Sequence, residues 1–390
     1  MTAVEIRGHC DPAFIPVKKA FQKNFRHQLE TGAAISLVAE GKPVVDLWGG
    51  WTDFRRRRPW RSDTLANIYS ATKGVTAVCA MRLMDQGRLD PDKPVAAYWP
   101  EFRGHGKEVI TVRMLLNHTA GMVGLRKQLP GRALYNWPVI TAAYAEEPPW
   151  WTPGQKHGYH AISFGWLLGQ VIRNITGMSV GKYLRQEITG PLGLDLHIGL
   201  SPAEHHRCAT MIMLRLRPSI HKDALRFAGA LLGNITGPTA RAFTNPASII
   251  TGVNSPAWRS AEIPSANGQS TAAALAALYG ILATGGGQNG RQILSQNGVD
   301  QCSRREVAGR DAVLQLPTRF GPGFMLNQEN SSGNFGPGRR SFGHPGAGGA
   351  LGFADPDARL GFGYVMNKMD TYILVDPRAR RLIDAAYRCL

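Results

Sequence analysis

The sequence predicts an α/β (α+β) chain, with an antiparallel sheet contributed by both chain ends, flanked by helices and interrupted by a mostly helical lobe. Three observations carry this. Ala34 to Ala39 and Pro43 to Trp51 are rich in β-forming residues and are joined by Glu40-Gly41-Lys42, a short turn containing Gly, which reads as a hairpin. From about residue 76 to 285 helical stretches alternate with Pro-rich and Trp-rich loops and strand signals are scarce. Beyond Gly285 to Gly287, short β-like runs return. The expected division is a discontinuous sheet domain, residues 1–75 with 286–390, and a helical domain, residues 76–285, with the active site in the cleft between them.

The first element is an amphipathic helix over Pro16 to Glu30, because Val17, Phe21, Phe25 and Leu29 recur every four residues with Lys and Gln between them. The hairpin follows. Arg55 to Arg58 with Pro59 form a solvated basic loop, and Leu65 to Tyr69 is a short apolar approach to Ser70. From Ala71 the period becomes helical, with Val75, Val78, Cys79 and Leu83 on one stripe up to Gln86-Gly87, where glycine supplies the stop. A serine therefore stands where an extended segment turns into a helix. Further helices are expected over Val112 to Asn117, Ile162 to Ile175, Val180 to Ile188 and Thr271 to Ala283. Phe324 to Asn327, Ala350 to Ala354 and Leu360 to Asn367 read as strands, and Pro377 to Cys389 as a closing helix.

With 390 residues, 43% hydrophobic and only 19% charged, the chain can build a sizeable core, which excludes disordered and fibrous classes. The net charge of +17 raises nucleic acid as a partner. Its dispersal along the chain, with no dense basic tail or helix, points instead to a basic surface. No stretch reaches the ~18 apolar residues of a membrane span, and Met1 to Phe14 has no apolar run of the ~7–15 residues an export signal needs. Neither nucleic acid nor membrane is expected as a partner. Five scattered cysteines without a Cys-x-x-Cys pair read as reduced thiols in a cytoplasm.

Serine followed three positions later by lysine puts both side chains on one helical face, where an unprotonated amine can take the hydroxyl proton. The pattern occurs at Ser70/Lys73, Ser179/Lys182 and Ser219/Lys222. Ser179 precedes a helical run and reads as its N-cap, and Ser219 follows Pro218 in a turn-like stretch. Only Ser70 combines a strand-like entry with a long apolar helix that buries the lysine and sets the serine N–H at the positive helix end. Other candidates have plainer readings. Gly268-Gln269-Ser270-Thr271-Ala272 lacks the last Gly of a nucleophile elbow, and Ser270 reads as a helix cap. Glu204-His205-His206-Arg207-Cys208 reads as a solvated loop rather than a metal site. Trp137, Trp150, Trp151 and Trp258 are assigned to core or loop packing, with a place in an acyl or alcohol pocket as the alternative.

Four segments in order widen the match: Ser70-Ala71-Thr72-Lys73-Gly74, Leu115 to Gly121 around Asn117-His118, Gly158-Tyr159-His160-Ala161, and Phe342 to Gly349 around His344-Pro345-Gly346. Together they resemble the serine β-lactamase-like (penicillin-binding-protein-like) family, and within it the esterase branch, the family VIII carboxylesterases related to class C β-lactamases. The resemblance covers nearly the whole chain. It implies Ser70 as nucleophile, Lys73 as its proton partner and Tyr159 as a proton relay. It also implies His344 and Gly346 on a substrate-lining inner-edge strand, where Gly346 lets backbone approach the acyl group, and the N–H groups of Ser70 and Ala347 as the oxyanion hole. No cofactor or metal is implied. The expected activity is hydrolysis of carboxylic esters of small or medium acyl chain through an acyl-serine, with a small-molecule ester as partner. A lactam or amide hydrolase, or an acyltransferase, is the alternative on the same site. Ala161 stands where lactamases commonly carry Asn, which disfavours the lactam reading, and Pro345 offers no N–H. An ordinary Tyr and Lys have pKa values near ~10 and ~10.4, so the site must lower one of them for either to serve as base.

Overall fold

In the computed structural model, which describes residues 4–27, 29–213, 221–329 and 331–390, the two chain ends meet in one sheet. Its strands are β1 Ile6–Cys10, β2 Gly32–Ala39, β3 Lys42–Gly50, β4 Val307–Arg310, β5 Pro317–Phe320, β6 Met325–Leu326, β7 Phe342–Pro345, β8 Leu351–Asp355 and β9 Leu360–Met366. The spatial order is β1-β3-β2-β9-β8-β7-β6-β5-β4, antiparallel throughout. The hairpin of β2 and β3 turns at Glu40-Gly41 as its sequence requires. β1, β4 and β5 escape the sequence reading because two of them are edge strands and the three are short. β1 and β4 also each contain a glycine, so neither shows a clean period-two pattern.

Six helices matter for the site: α1 Ile15–Arg26, α2 Ala71–Asp85, α3 Ser163–Thr176, α4 Lys222–Gly233, α5 Ala272–Ala283 and α6 Pro377–Tyr387. β2 and β9 are buried along their whole length, so both faces of the sheet centre are covered. On one face lies α5, although its residues fall within the 76–285 segment. Glycine permits the approach. A Cβ at Gly361 would come within 2.2 Å of the Gly280 nitrogen, and one at Gly363 within 2.4 Å of the Ala272 carbonyl. On the other face α1 packs against α6, and the buried Arg378 of α6 pairs with Glu30 at 3.0 Å and Asp376 at 2.7 Å.

Several expectations shift in detail. Helix α1 ends at Arg26, so Leu29 lies beyond it. The Val180 to Ile188 stretch is α-helical only over Val180–Leu184 and continues as a wider π turn over Arg185–Thr189. The apolar stripe expected on α2 is instead burial on nearly every side. Ala71, Gly74, Ala77 and Ala80 are small enough to let neighbours close in around it, with α3 and β7 among them. Among the described residues no helix is long and apolar enough to cross a membrane, and all five cysteines are free.

Candidate active site

Ser70 sits at the junction that its sequence context requires. Tyr69, just before it, adopts φ +44°, a left-handed conformation that a bulky residue rarely takes. This sharp turn ends the short strand Ala66–Asn67 and starts α2, leaving Ser70 half-buried at the helix entrance. Lys73, one turn on, is fully buried. Its Nζ lies 3.2 Å from Ser70 Oγ, 2.6 Å from the Ala161 carbonyl and 2.9 Å from the Ser265 carbonyl. A neutral amine has two N–H donors and one lone pair. The two carbonyls take the donors, and the lone pair faces the serine hydroxyl. Burial pushes Lys73 well below the ordinary lysine pKa, in the same direction.

Tyr159 closes the other side of the serine, its ring centre 4.7 Å from Lys73 Nζ. Its hydroxyl is 3.3 Å from His344 Nε2, while His344 Nδ1 is 2.7 Å from the Pro345 carbonyl. A carbonyl only accepts, so the imidazole carries its proton on Nδ1 and Nε2 accepts from the phenol. Burial, and secondarily the charge of Lys73, pulls His344 down to about 3, so the ring is neutral. Burial pushes the Tyr159 phenol well above its usual value; the Ser70 hydroxyl opposes this and the Asp311 charge adds to it. Of the two bases that the sequence left open, the buried site favours the amine over the phenolate.

β7 carries His344 and Pro345 with strands on both sides, so it is an interior strand and not the inner edge that the resemblance implied. β4, β5 and β6 extend the sheet past it. Gly346 is required for close approach, but to protein backbone: a Cβ there would lie 2.2 Å from the Ile68 carbonyl, beside the Ser70 turn. Ala347 follows on the surface of the cleft. Among the described residues the backbone N–H groups of Ser70 and Ala347 have no hydrogen-bond acceptor. Arg378, from the far side of the sheet, donates to the Gly348 carbonyl at 2.6 Å and so anchors this loop.

Asp311 belongs to no motif and escapes the sequence reading. It is fully buried, and its Oδ1 accepts from the backbone N–H of Tyr159 at 3.1 Å and of Val313 and Leu314 at 2.8 Å each. His118 and His160, quoted in the motifs without a role, meet behind Tyr159. Their Nδ1 atoms are 3.2 Å apart, and His160 Nε2 accepts from Met122 N–H at 3.2 Å, which puts the His160 proton on Nδ1. Burial keeps both neutral, His160 at about 3. The His118 ring packs against Tyr159 at 5.1 Å and Phe320 at 4.5 Å, a rigid backing for the phenol.

Ser70, Tyr159, His344, Pro345 and Ala347 open onto a cavity of about 190 Å³. Its remaining wall is mainly apolar: Phe227, Phe243, Leu314, Met325, Tyr372 and Ile373. None of the four tryptophans lines it; Trp258 is buried and donates to Asn67 Oδ1 at 2.9 Å. Phe227 and Phe243 come from stretches without a recognisable motif, so only folding reveals them. The other serines stand apart. Ser179 caps its helix by accepting from Lys182 N–H at 3.3 Å. Thr271, rather than Ser270, caps α5, because the residue preceding the first helical one holds the cap position. Ser219 lies outside the described residues, and Lys222 opens α4. Glu204 to Arg207 is a 3₁₀ turn rather than a loop, pinned by a Glu204–Arg207 ion pair of 2.7 Å. Among the described residues no group of three or more His, Cys, Asp or Glu side chains could hold a metal ion.

Comparison with known proteins agrees with this geometry. The family model described as Beta-lactamase matches residues 21–386. The chain is 36% identical over 372 residues to Esterase/beta-lactamase LipL of Mycobacterium tuberculosis, covering 93% of this chain and 83% of that protein. A crystal structure of a family VIII carboxylesterase superposes with a TM-score of 0.90 at 42% identity, over 99% of this chain and 100% of that one. A penicillin-binding protein homologue from Caulobacter crescentus does so with a TM-score of 0.90 at 38% identity, over the same shares. A partly buried serine at a strained helix entrance, a buried lysine one turn on and a match spanning nearly every element lead to one assignment: the chain belongs to the Beta-lactamase family and has the serine β-lactamase-like fold.

Proposed function

We propose that this protein is a serine carboxylesterase that cleaves esters of small or medium acyl chain through an acyl-Ser70 intermediate. The observation that carries the reading is the buried Lys73 Nζ, 3.2 Å from Ser70 Oγ and within hydrogen-bond reach of the Ala161 and Ser265 carbonyls, beside an apolar cavity onto which Ser70 opens. The esterase names of its relatives agree. Ser70 gives its proton to Lys73 as Oγ attacks the ester carbonyl. The oxyanion forms against the free N–H groups of Ser70 and Ala347, each worth about 3 kcal/mol in a preorganised site. Lys73 then returns the proton to the departing alkoxide through the Tyr159 hydroxyl, which hands on its own proton as it receives another. Water repeats the sequence on the acyl-serine. His344 acts as an acceptor that fixes the phenol between steps.

An ester suits this site better than a lactam. The wall offers few polar groups to an amide side chain, and Ala161 contributes only a backbone carbonyl, already bonded to Lys73. We retain the two-lobe division, with the site in the cleft between the sheet and the mostly helical 76–285 segment and with α5 assigned to the sheet. A cytoplasmic location is consistent with five unpaired cysteines.

A serine-directed phosphonate, followed by peptide mapping, tests the assignment. Label on Ser70 alone, absent in Ser70→Ala together with ester turnover, is the expected result. Label on Ser179 or Ser270 overturns it.

A further inference from the structure

Helix α4 has an outer face that the cavity does not use. Phe227 points inward, lining the cavity and meeting Phe243 edge-on at 4.9 Å. At about 100° per residue, Leu225 faces the opposite way, and Gly229 and Leu232 fall on the same outward stripe. Leu225 and Leu232 are 56% and 72% exposed, and Ile235 just beyond the helix is 71% exposed. Among the described residues nine large apolar side chains are exposed, and three of them, Leu225, Leu232 and Ile235, fall within eleven positions on or just beyond this helix. Exposed apolar side chains gathered on the outer side of a cavity-lining helix call for a contact.

Charge selects the partner. Lys222 and Arg226 are exposed beside Leu225. Asp223, the single acidic residue of the helix, points inward, where it is buried and accepts from Ser332 Oγ at 2.9 Å. The outer face thus offers leucine, isoleucine, lysine and arginine with no opposing carboxylate from the helix, on a chain of net charge +17. Basic side chains flanking an apolar stripe suit a surface of anionic amphiphiles, where leucine enters the acyl boundary and the cations meet the headgroups.

We infer that the outer face of α4, the helix whose inner face lines the Ser70 cavity, docks on an anionic lipid surface. The sequence criterion that argued against a membrane concerned spanning segments; this contact is peripheral and uses three apolar and two basic side chains of one short stretch. The docking does not depend on the ester reading, so its test reads binding.

Wild-type protein and Ser70→Ala are sedimented with vesicles of phosphatidylglycerol and of phosphatidylcholine, beside the double variants Leu225→Glu/Leu232→Glu and Lys222→Glu/Arg226→Glu. The expected result is binding of wild type and Ser70→Ala to phosphatidylglycerol vesicles, reduced by salt and at least about tenfold stronger than to phosphatidylcholine. Each double variant should lose about tenfold or more of that binding while turning over a water-soluble aryl ester at the wild-type rate. Binding to neither vesicle, equal binding to both, or binding that the variants leave unchanged overturns the inference. A concentration-dependent dimer dissolved by the leucine variant overturns it too, because a second copy then covers this face.

Discussion

Replacing Asp311 tests whether Tyr159, the proton relay of the proposed mechanism, is held by the carboxylate that its backbone N–H meets. Asp311→Ala strands three buried N–H groups, those of Tyr159, Val313 and Leu314. At about 1–3 kcal/mol for each unsatisfied donor, the cost is about 3–9 kcal/mol. With an unfolding entropy of about 2.1 cal/mol/K per residue, a chain of 390 residues then loses roughly 4–11 °C in Tm. Asp311→Asn keeps an acceptor oxygen and exchanges three charge-assisted bonds for neutral ones, about 1 kcal/mol each, or roughly 4 °C in all. The activities should separate further. A displacement of Tyr159 by about 1 Å lowers kcat about 10²-fold, and the released Leu314 wall raises KM for longer acyl chains, whereas the Asn variant stays near wild type. Thermal unfolding and steady-state kinetics on an ester series measure both effects. An Asp311→Ala protein with wild-type Tm and wild-type kcat refutes the reasoning.

Tyr159→Phe should lower kcat about 10²–10⁴-fold with a small change in KM, for an aryl ester and a chromogenic cephalosporin alike, and wild type should prefer the ester by orders of magnitude. A wild type that prefers the cephalosporin defeats the esterase reading. Because burial lowers the Lys73 pKa, the amine is the working form and activity should be lost as pH falls through that depressed value, well under the ordinary ~10.4. His344, at about 3, and Tyr159, pushed upward, add no ionisation near neutrality. An acid limb centred at the ordinary lysine value in a pH–rate profile, or an active Lys73→Arg enzyme, contradicts this assignment. Phe227→Ala enlarges the cavity of about 190 Å³ and should shift the best substrate to a longer acyl chain; an unchanged chain-length profile removes Phe227 from the acyl pocket.

By itself the sequence determined the features that depend on local order along the chain. The hairpin follows from β-rich runs around Glu40-Gly41, and the partnership of Ser70 with Lys73 follows from helical spacing after an extended entry. The return of strands after Gly287 placed both chain ends in one sheet. What only the tertiary structure decided depends on residues far apart in the chain. Asp311 reaches Tyr159 across 152 positions and carries no motif of its own. Phe227 and Phe243 look like ordinary core residues until α4 folds over the serine. Glycines on β9 draw α5 onto the sheet, which periodicity within α5 cannot report. The preference for Lys73 over Tyr159 as the proposed base is also tertiary. Spacing brings an amine to a hydroxyl, but the lysine pKa falls only because distant segments, those of Ala161 and Ser265 among them, close around the group and bury it. A pKa is set by solvation, and solvation exists only once the chain has closed around the group.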